Sequence, residues 1–181
     1  ANAKIMFIGE GPGFHENEQG HPFVGASGKF LDQLLAQAGV TREEVFIANV
    51  VKCRPPGNRD PLPEELAACD VFLEAQIAAI NPSIIVTLGR FSMNRFFPGA
   101  KISAVHGQMK KIGERFVIPM FHPAAALHQA ARHLRDYISI FLGPAEEFGA
   151  AMLEAVGEVD EVRDKVAKKK AEGALKRRSV I

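Results

Sequence analysis

Cysteine is scarce in this 181-residue chain: Cys53 and Cys69, separated by fifteen residues, are the whole supply. Two thiols do not make a disulfide scaffold, and they fit a reducing cytoplasm. Long apolar runs are missing too. None approaches the roughly 18 residues of a membrane-spanning helix, and no signal peptide opens the chain. An excess of one charge is also lacking, because the formal net charge is only +1. So even a balance argues against a protein that coats nucleic acid. There are no internal repeats and no low-complexity tracts. What remains is a chain with 47% apolar and 24% charged side chains, which suits one domain with a sizeable core. It opens Ala-Asn-Ala-Lys, without methionine and just ahead of its first strand, so the expectation is that material upstream is missing or was removed.

The stretch that organises the rest is residues 9–28, G-E-G-P-G-F-H-E-N-E-Q-G-H-P-F-V-G-A-S-G. The apolar run Ile5-Met6-Phe7-Ile8 before it reads as a buried strand, and residues 29–35 after it have helical apolar spacing. A strand that opens through a long glycine-rich loop into a helix is where α/β proteins place their sites. Glycines there let the backbone approach a ligand and offer it N–H groups. Two familiar phosphate loops fail on single residues. G-x-G-x-x-G needs glycine where Phe14 stands, and no Gly-Lys-Ser/Thr follows.

Onward, strands and helices alternate. Gly39 is placed to end the first helix, and Thr41-Arg42-Glu43-Glu44 has the form of a capping box. Residues 45–51, V-F-I-A-N-V-V, read as a second strand. Residues 52–61 form a loop, since four of the ten are proline or glycine. A helix opens at Pro63 and runs through Cys69 towards residue 80; Pro82 ends it, and residues 83–89 make a third strand. A helix over 90–97, a hairpin-like excursion around Val105-His106-Gly107 and a fourth strand at 115–120 follow. Residues 124–141, with His128, Arg132, His133 and Arg135, read as a last helix. This order predicts an α/β fold, a three-layer αβα sandwich around a mostly parallel four-stranded sheet. Gly143-Pro144 separates that domain, residues 1–143, from a charged helical tail, residues 144–181. The tail is acidic over 146–164 and basic over 165–178. A solvated helix with pairs such as Glu161 and Lys165 accounts for it, the alternative being a basic end that touches DNA phosphate.

The glycine loop, Asn49 and His122 all fall at carboxyl ends of strands, where ligands of such folds bind. Asn49 ends a buried strand and needs a partner, as a turn cap or as a reader of a ligand. His122, beside Pro123 at the mouth of the sheet, is a stronger ligand candidate than a histidine elsewhere. Phe23, beside Pro22 in the glycine loop, is either core or a stacking surface. Alone, the two cysteines read as small apolar side chains.

Taken together, G-E-G-P-G, G-x-P-F-V-G over residues 20–25, N-V-V-K-C-R-P-P-x-N-R over residues 49–59 and His122-Pro123 resemble the family 4, iron–sulfur uracil-DNA glycosylases. The resemblance covers about residues 4–141. It implies a monofunctional enzyme, a monomer acting on uracil-containing DNA, that flips the base and hydrolyses its N-glycosidic bond. By the same resemblance Asn49 reads uracil, accepting from N3–H and donating to O4, partners that cytosine reverses. His122 donates to O2 as charge gathers on the leaving base. Glu10 lies beside the water and sugar, Glu16 stands near C5 where thymine carries a methyl, Phe23 stacks on the base, and the Gly11 and Pro12 backbone lines the pocket. Arg59 and Leu127 contact DNA. Cys53 and Cys69 match two of the four ligands of a [4Fe–4S] cluster. The other two come from a Cys-x-x-Cys upstream of the first strand, before this chain begins, so the cluster is expected to be incomplete or absent here.

The chain departs from the family pattern in three places. Phe14-His15-Glu16-Asn17 keeps only one glutamate of an acidic run. Ala124-Ala125-Ala126-Leu127 replaces a serine and leucines that wedge into the duplex, which leaves Leu127 alone for that task. His106 stands where arginine is frequent. These departures keep open a catalytically weak or dead damaged-DNA-binding module of the same fold. A nucleotide-phosphate-binding α/β protein would explain the glycine loop but not Asn49 or His122.

Overall fold

The computed structural model describes residues 3–125. Their elements run β1 (Ile5–Gly9), α1 (Phe14–Gln19), α2 (Ala26–Gln37), β2 (Val45–Asn49), α3 (Pro63–Ile80), β3 (Ile84–Leu88), α4 (Arg90–Phe96), α5 (Ile102–Val105), β4 (Lys110–Ile112) and β5 (Arg115–Met120). Short 3₁₀ turns at Arg42–Glu44 and Pro56–Asn58 precede β2 and α3. The Thr41–Glu44 capping box is present, with the Thr41 N–H donating to Glu44 Oε2 at 2.7 Å.

The sheet order is β2-β1-β3-β5-β4. Strands β1, β2, β3 and β5 are parallel, and β4 runs antiparallel to β5 at the edge. Every residue of β1 and β3 is buried, because these central strands are covered on both faces. Strand alternation divides the core in two. Ile5, Phe7, Val86 and Ile118 pack with Phe30, Leu31, Leu34 and Leu35 of α2. Met6, Ile8, Ile85 and Val117 pack with Leu73 and Ile77 of α3 and with Phe91 and Phe96. Each such fully buried side chain contributes about 1.5–3 kcal/mol relative to exposure, so these stripes fix where the helices sit. The three-layer αβα architecture follows.

Three expectations are corrected. The sheet has five strands rather than four. The extra one, Lys110-Lys111-Ile112, is short, largely exposed and carries no apolar run, as suits an edge strand that must resist pairing. The hairpin therefore turns at Gly113-Glu114, later than Val105-His106-Gly107, where α5 ends instead. The glycine-rich stretch is also not one continuous loop, since α1 lies within it and stops at Gly20 in the left-handed region. The chain leaves β1 towards β2 and leaves β3 towards β5, in opposite directions. The switch point between β1 and β3 opens a crevice at the carboxyl edge of the sheet.

Candidate active site

Parallel register pairs Gly9 with Asn49, and the ladder continues past both. Val50 N–H donates to the Gly9 carbonyl and Val51 N–H to the Glu10 carbonyl, each at 3.0 Å. A Cβ at Gly9 would lie 2.5 Å from Asn49 Oδ1 and 2.5 Å from the Phe23 ring. Glycine is what lets these two side chains meet over the end of β1. Asn49 is 6% exposed, yet its Oδ1 accepts no hydrogen bond. An orphan acceptor in such a place is a costly feature that a ligand N–H would relieve.

Phe23 is 6% exposed and holds φ at +53°, a backbone region that bulky residues avoid. Its neighbours are tied down. Glu16 Oε1 accepts from the N–H groups of Val24 at 2.9 Å and Gly25 at 2.8 Å. Burial alone would raise the Glu16 pKa, but these amides outweigh it and hold the carboxylate below its ordinary value. At Gly28, in the first turn of α2, a Cβ would fall 1.8 Å from the Phe23 carbonyl oxygen, so the helix can seat only glycine there.

The His122 ring lies 5.6 Å from that of Phe23, tilted by 30°. Its Nδ1 accepts from the Ala124 N–H at 3.1 Å, which leaves the proton of the neutral imidazole on Nε2. Burial pushes its pKa down to about 4, against the pull of Glu16, so His122 is a neutral donor near pH 7. His106 holds the preceding residue, accepting the Phe121 N–H on Nδ1 at 3.2 Å with its ring 4.3 Å from that of Phe121.

Glu10, Gly11, Pro12, Glu16, Phe23 and His122 line one cavity of about 400 Å³. Its opposite wall comes from the proline-rich loop, through Pro55, Asn58, Arg59 and Pro61. Burial raises the Glu10 pKa, as does Asp60, while Arg90, paired to Asp60, opposes the rise. Arg59 faces the cavity, but its guanidinium is held by Glu65 at 2.7 and 2.8 Å and by the Asp60 carbonyl at 2.9 Å. Asn49 is not part of this wall. It lines an adjoining hollow of about 440 Å³ that shares Pro12 and Glu16.

That second hollow also carries Lys52 and Cys53. Lys52 N–H donates to Cys69 Sγ at 3.3 Å, which brings the exposed Cys53 and the half-buried Cys69 to one corner. The Lys52 ammonium donates to the Asn49 carbonyl at 2.7 Å and to Gln76 Oε1 at 2.6 Å. Among the described residues no group of three or more His, Cys, Asp or Glu could hold a metal ion, and no helix is long and apolar enough to cross a membrane. Leu127, the rest of the helix expected over 124–141 and the tail 144–181 lie outside the described residues.

Sequence reasoning passed over Arg42, which reaches Asp32 and the Pro22 carbonyl, and the Asp60–Arg90 pair beside Glu10. Nothing local marks them, because their partners are ten or more residues away in the chain. Asn58 was legible only as one letter of the block that carries Asn49.

Comparison with known proteins agrees with this geometry. The family model described as "Uracil DNA glycosylase superfamily" matches residues 1–142. The chain is 46% identical over 150 residues to a "Type-4 uracil-DNA glycosylase" of Thermotoga maritima, covering 81% of this chain and 78% of that one. It is 47% identical over 137 residues to one of Archaeoglobus fulgidus, covering 70% and 68%, and 48% identical over 136 residues to one of Sulfurisphaera tokodaii, covering 70% and 62%. The chain belongs to the uracil-DNA glycosylase superfamily.

Proposed function

We propose that this protein is a monofunctional uracil-DNA glycosylase of the type-4 kind, which flips uracil out of DNA and hydrolyses the bond between N1 and the sugar. The observation that carries the reading is the buried Asn49 amide, with Oδ1 unpaired, set against Phe23. In this reading Oδ1 accepts from uracil N3–H and the amide NH₂ donates to O4. Cytosine presents the reverse at both positions and is refused. Phe23 stacks under the base, Glu16 faces C5, and the Gly11 and Pro12 backbone closes the pocket.

As the glycosidic bond breaks, its electron pair moves onto the base, and O2 gathers negative charge. A neutral His122 with its proton on Nε2 is suited to donate there, and removing such a donor costs roughly 10²–10³-fold in rate. Glu10 lines the same cavity, where burial makes it more basic than a free glutamate. It positions the water that attacks the sugar carbon and takes up its proton. Arg59 and Leu127 contact the DNA strand. The enzyme acts as a monomer in the cytoplasm.

Cys53 and Cys69 fit as two of the four thiolates of a [4Fe–4S] cluster, since the Lys52 amide already draws both to one corner. The remaining two ligands would come from a Cys-x-x-Cys upstream. When bound, the cluster would pin residues 52–61 against α3.

The test is incubation with a uracil-containing oligonucleotide followed by alkali. Strand cleavage is expected only after alkali, because among the described residues no lysine lines the main cavity to form a Schiff base, and Lys52 in the adjoining hollow is held by the Asn49 carbonyl and Gln76. Cleavage without alkali that borohydride traps would overturn the monofunctional mechanism. An intact strand after alkali would leave a binding module in place of an enzyme.

A further inference from the structure

We propose that Arg42, anchored by Asp32, is a positioning residue that holds Phe23 in its left-handed backbone conformation. The inference rests on the reading of Phe23 as the shelf beneath the flipped base, and it says what keeps that shelf in place.

Phe23 has φ at +53° and no glycine's freedom to hold it without help. Two peptide planes meet at this residue. On the far side, Glu16 Oε1 takes the Val24 and Gly25 N–H groups. On the near side, the peptide joining Pro22 to Phe23 has a carbonyl that accepts from Arg42 Nη2 at 2.5 Å. Rotating that peptide to bring Phe23 back to negative φ would swing the Pro22 carbonyl away from the guanidinium. The Arg42 bond therefore opposes the motion that would relieve the strain.

Arg42 can do this because it is itself fixed. Its Nη1 donates to Asp32 Oδ1 at 2.8 Å, and Asp32 is one helical turn beyond Gly28 on α2. Gly28 is where that helix presses against the Phe23 carbonyl. One rigid helix thus meets Phe23 twice, directly through Gly28 and indirectly through Asp32 and Arg42. The two nitrogens of one planar guanidinium bridge the carboxylate and the carbonyl, which a lysine ammonium would do poorly. As an ion pair the contact is half open to water and contributes little. Its work is directional.

The experiment compares Arg42→Met, which keeps the bulk and loses the donors, with Arg42→Lys, which keeps a charged donor of nearly the same reach but cannot bridge Asp32 and the Pro22 carbonyl in one plane. Single-turnover excision from a single-stranded uracil oligonucleotide is measured for each, in the parent and in Phe23→Ala, well below the melting temperatures. Arg42→Met should slow the parent about 10-fold, the scale of one charge-assisted hydrogen bond, and Arg42→Lys should recover part of the rate. In Phe23→Ala the Met change should matter less than about 2-fold, because the ring it positions is gone. Equal slowing in both backgrounds, or none in the parent while Phe23→Ala is slow, overturns the proposal. If Phe23→Ala alone leaves the rate intact, the stacking role of Phe23 has failed, and the role of Arg42 fails with it.

Discussion

The two walls of the cavity are built in opposite ways. On the glycine-loop side, Phe23 in the cavity and Asn49 in the adjoining hollow are each 6% exposed, and carboxylate-to-amide bonds and glycine close approaches fix them. On the proline-rich wall, residues 56–60 are exposed. That wall is held by Arg54 to Asn58 at 2.7 Å, Arg59 to Glu65 and Arg90 to Asp60, all in contact with water. Water screens exposed contacts of this kind, so each holds the wall only weakly. The first wall is pre-organised by packing, as chemistry that fails on small displacements requires. The second holds its shape through weak polar contacts, and gains most from a tether at the cysteine corner.

The largest effects should come from the packed wall. Asn49→Ala and His122→Ala are each expected to lower uracil excision by roughly 10²–10³-fold, about 2.7–4 kcal/mol. Asn49→Asp should let cytosine be cut, since a protonated carboxyl can donate to N3 and accept from the amino group. Arg59→Ala, on the other wall, should cost less than about 10-fold, because its guanidinium is already spent on Glu65. Rates on uracil- and cytosine-containing oligonucleotides decide this. Parent-like activity of Asn49→Ala would remove Asn49 from the site.

Next is a reversal of sign. Glycine to alanine within a helix normally stabilises by up to about 1 kcal/mol. At Gly28 the new methyl meets the Phe23 carbonyl at 1.8 Å, so Gly28→Ala should instead destabilise by about 1–3 kcal/mol or more and loosen the shelf. Gly57→Ala, on the proline wall, has nothing within 4 Å and bears only the cost of φ at +63°, about 1 kcal/mol. Urea titrations of both variants give the comparison, and a stabilised Gly28→Ala would show that α2 can shift away from Phe23.

Acid should also act through the packed wall. His122 has a folded pKa of about 4 against an ordinary 6.5. Its contribution to stability is complete above pH 6.5. Between 6.5 and 4 the unfolded chain takes up a proton that the folded one refuses, so stability falls as the pH falls. Glu16, held low by its amides, adds a loss of the same sign at the acid end of that window. Stability measured from pH 7 to 4 should decline with a slope that His122→Gln reduces. An unchanged slope would mean that His122 takes up its proton over the same pH range in the folded and unfolded chain.

Much of this was legible before any coordinates. Strand ends and the helix at Pro63 are local patterns of apolar period and proline, and they fell within a few residues of where they were expected. Asn49 and His122 were singled out because a polar group closing a buried strand needs a reason, and both do lie at the carboxyl edge of the sheet. The edge strand at Lys110 was not legible, since an exposed strand has no apolar signature. Nor were Arg42, Lys52 and Asp60. Their meaning lies in carbonyls and carboxylates brought near by the fold, Pro22 from twenty residues before Arg42 and Gln76 from twenty-four beyond Lys52. The use of Glu16 as a clamp on two amides was hidden for the same reason, as was the division of the site into two adjoining hollows.

The smallest effect belongs to the cysteine corner, and it is the one that separates the two walls most cleanly. Cys53 is exposed, and serine differs from it by one atom, so Cys53→Ser in this 181-residue chain should change stability by no more than about 0.5 kcal/mol. Cys69→Ser should cost slightly more, because the Lys52 amide donates to its sulfur at 3.3 Å and a hydroxyl on a shorter bond reaches it less well. In a chain extended upstream with Cys-x-x-Cys and loaded anaerobically with iron and sulfide, the same Cys53→Ser change should remove a ligand of the proposed cluster. The binding energy of a group that only the folded chain can hold is folding energy, so there the loss should be several kcal/mol. Thermal melts of both chains, with and without the substitution, measure how much of the proline wall the cluster holds. Visible charge-transfer absorbance reports cluster content alongside them. An equal loss in both chains would show that Cys53 serves packing alone. A full cluster assembled on the 181-residue chain would show that its ligands are not the two thiols named here.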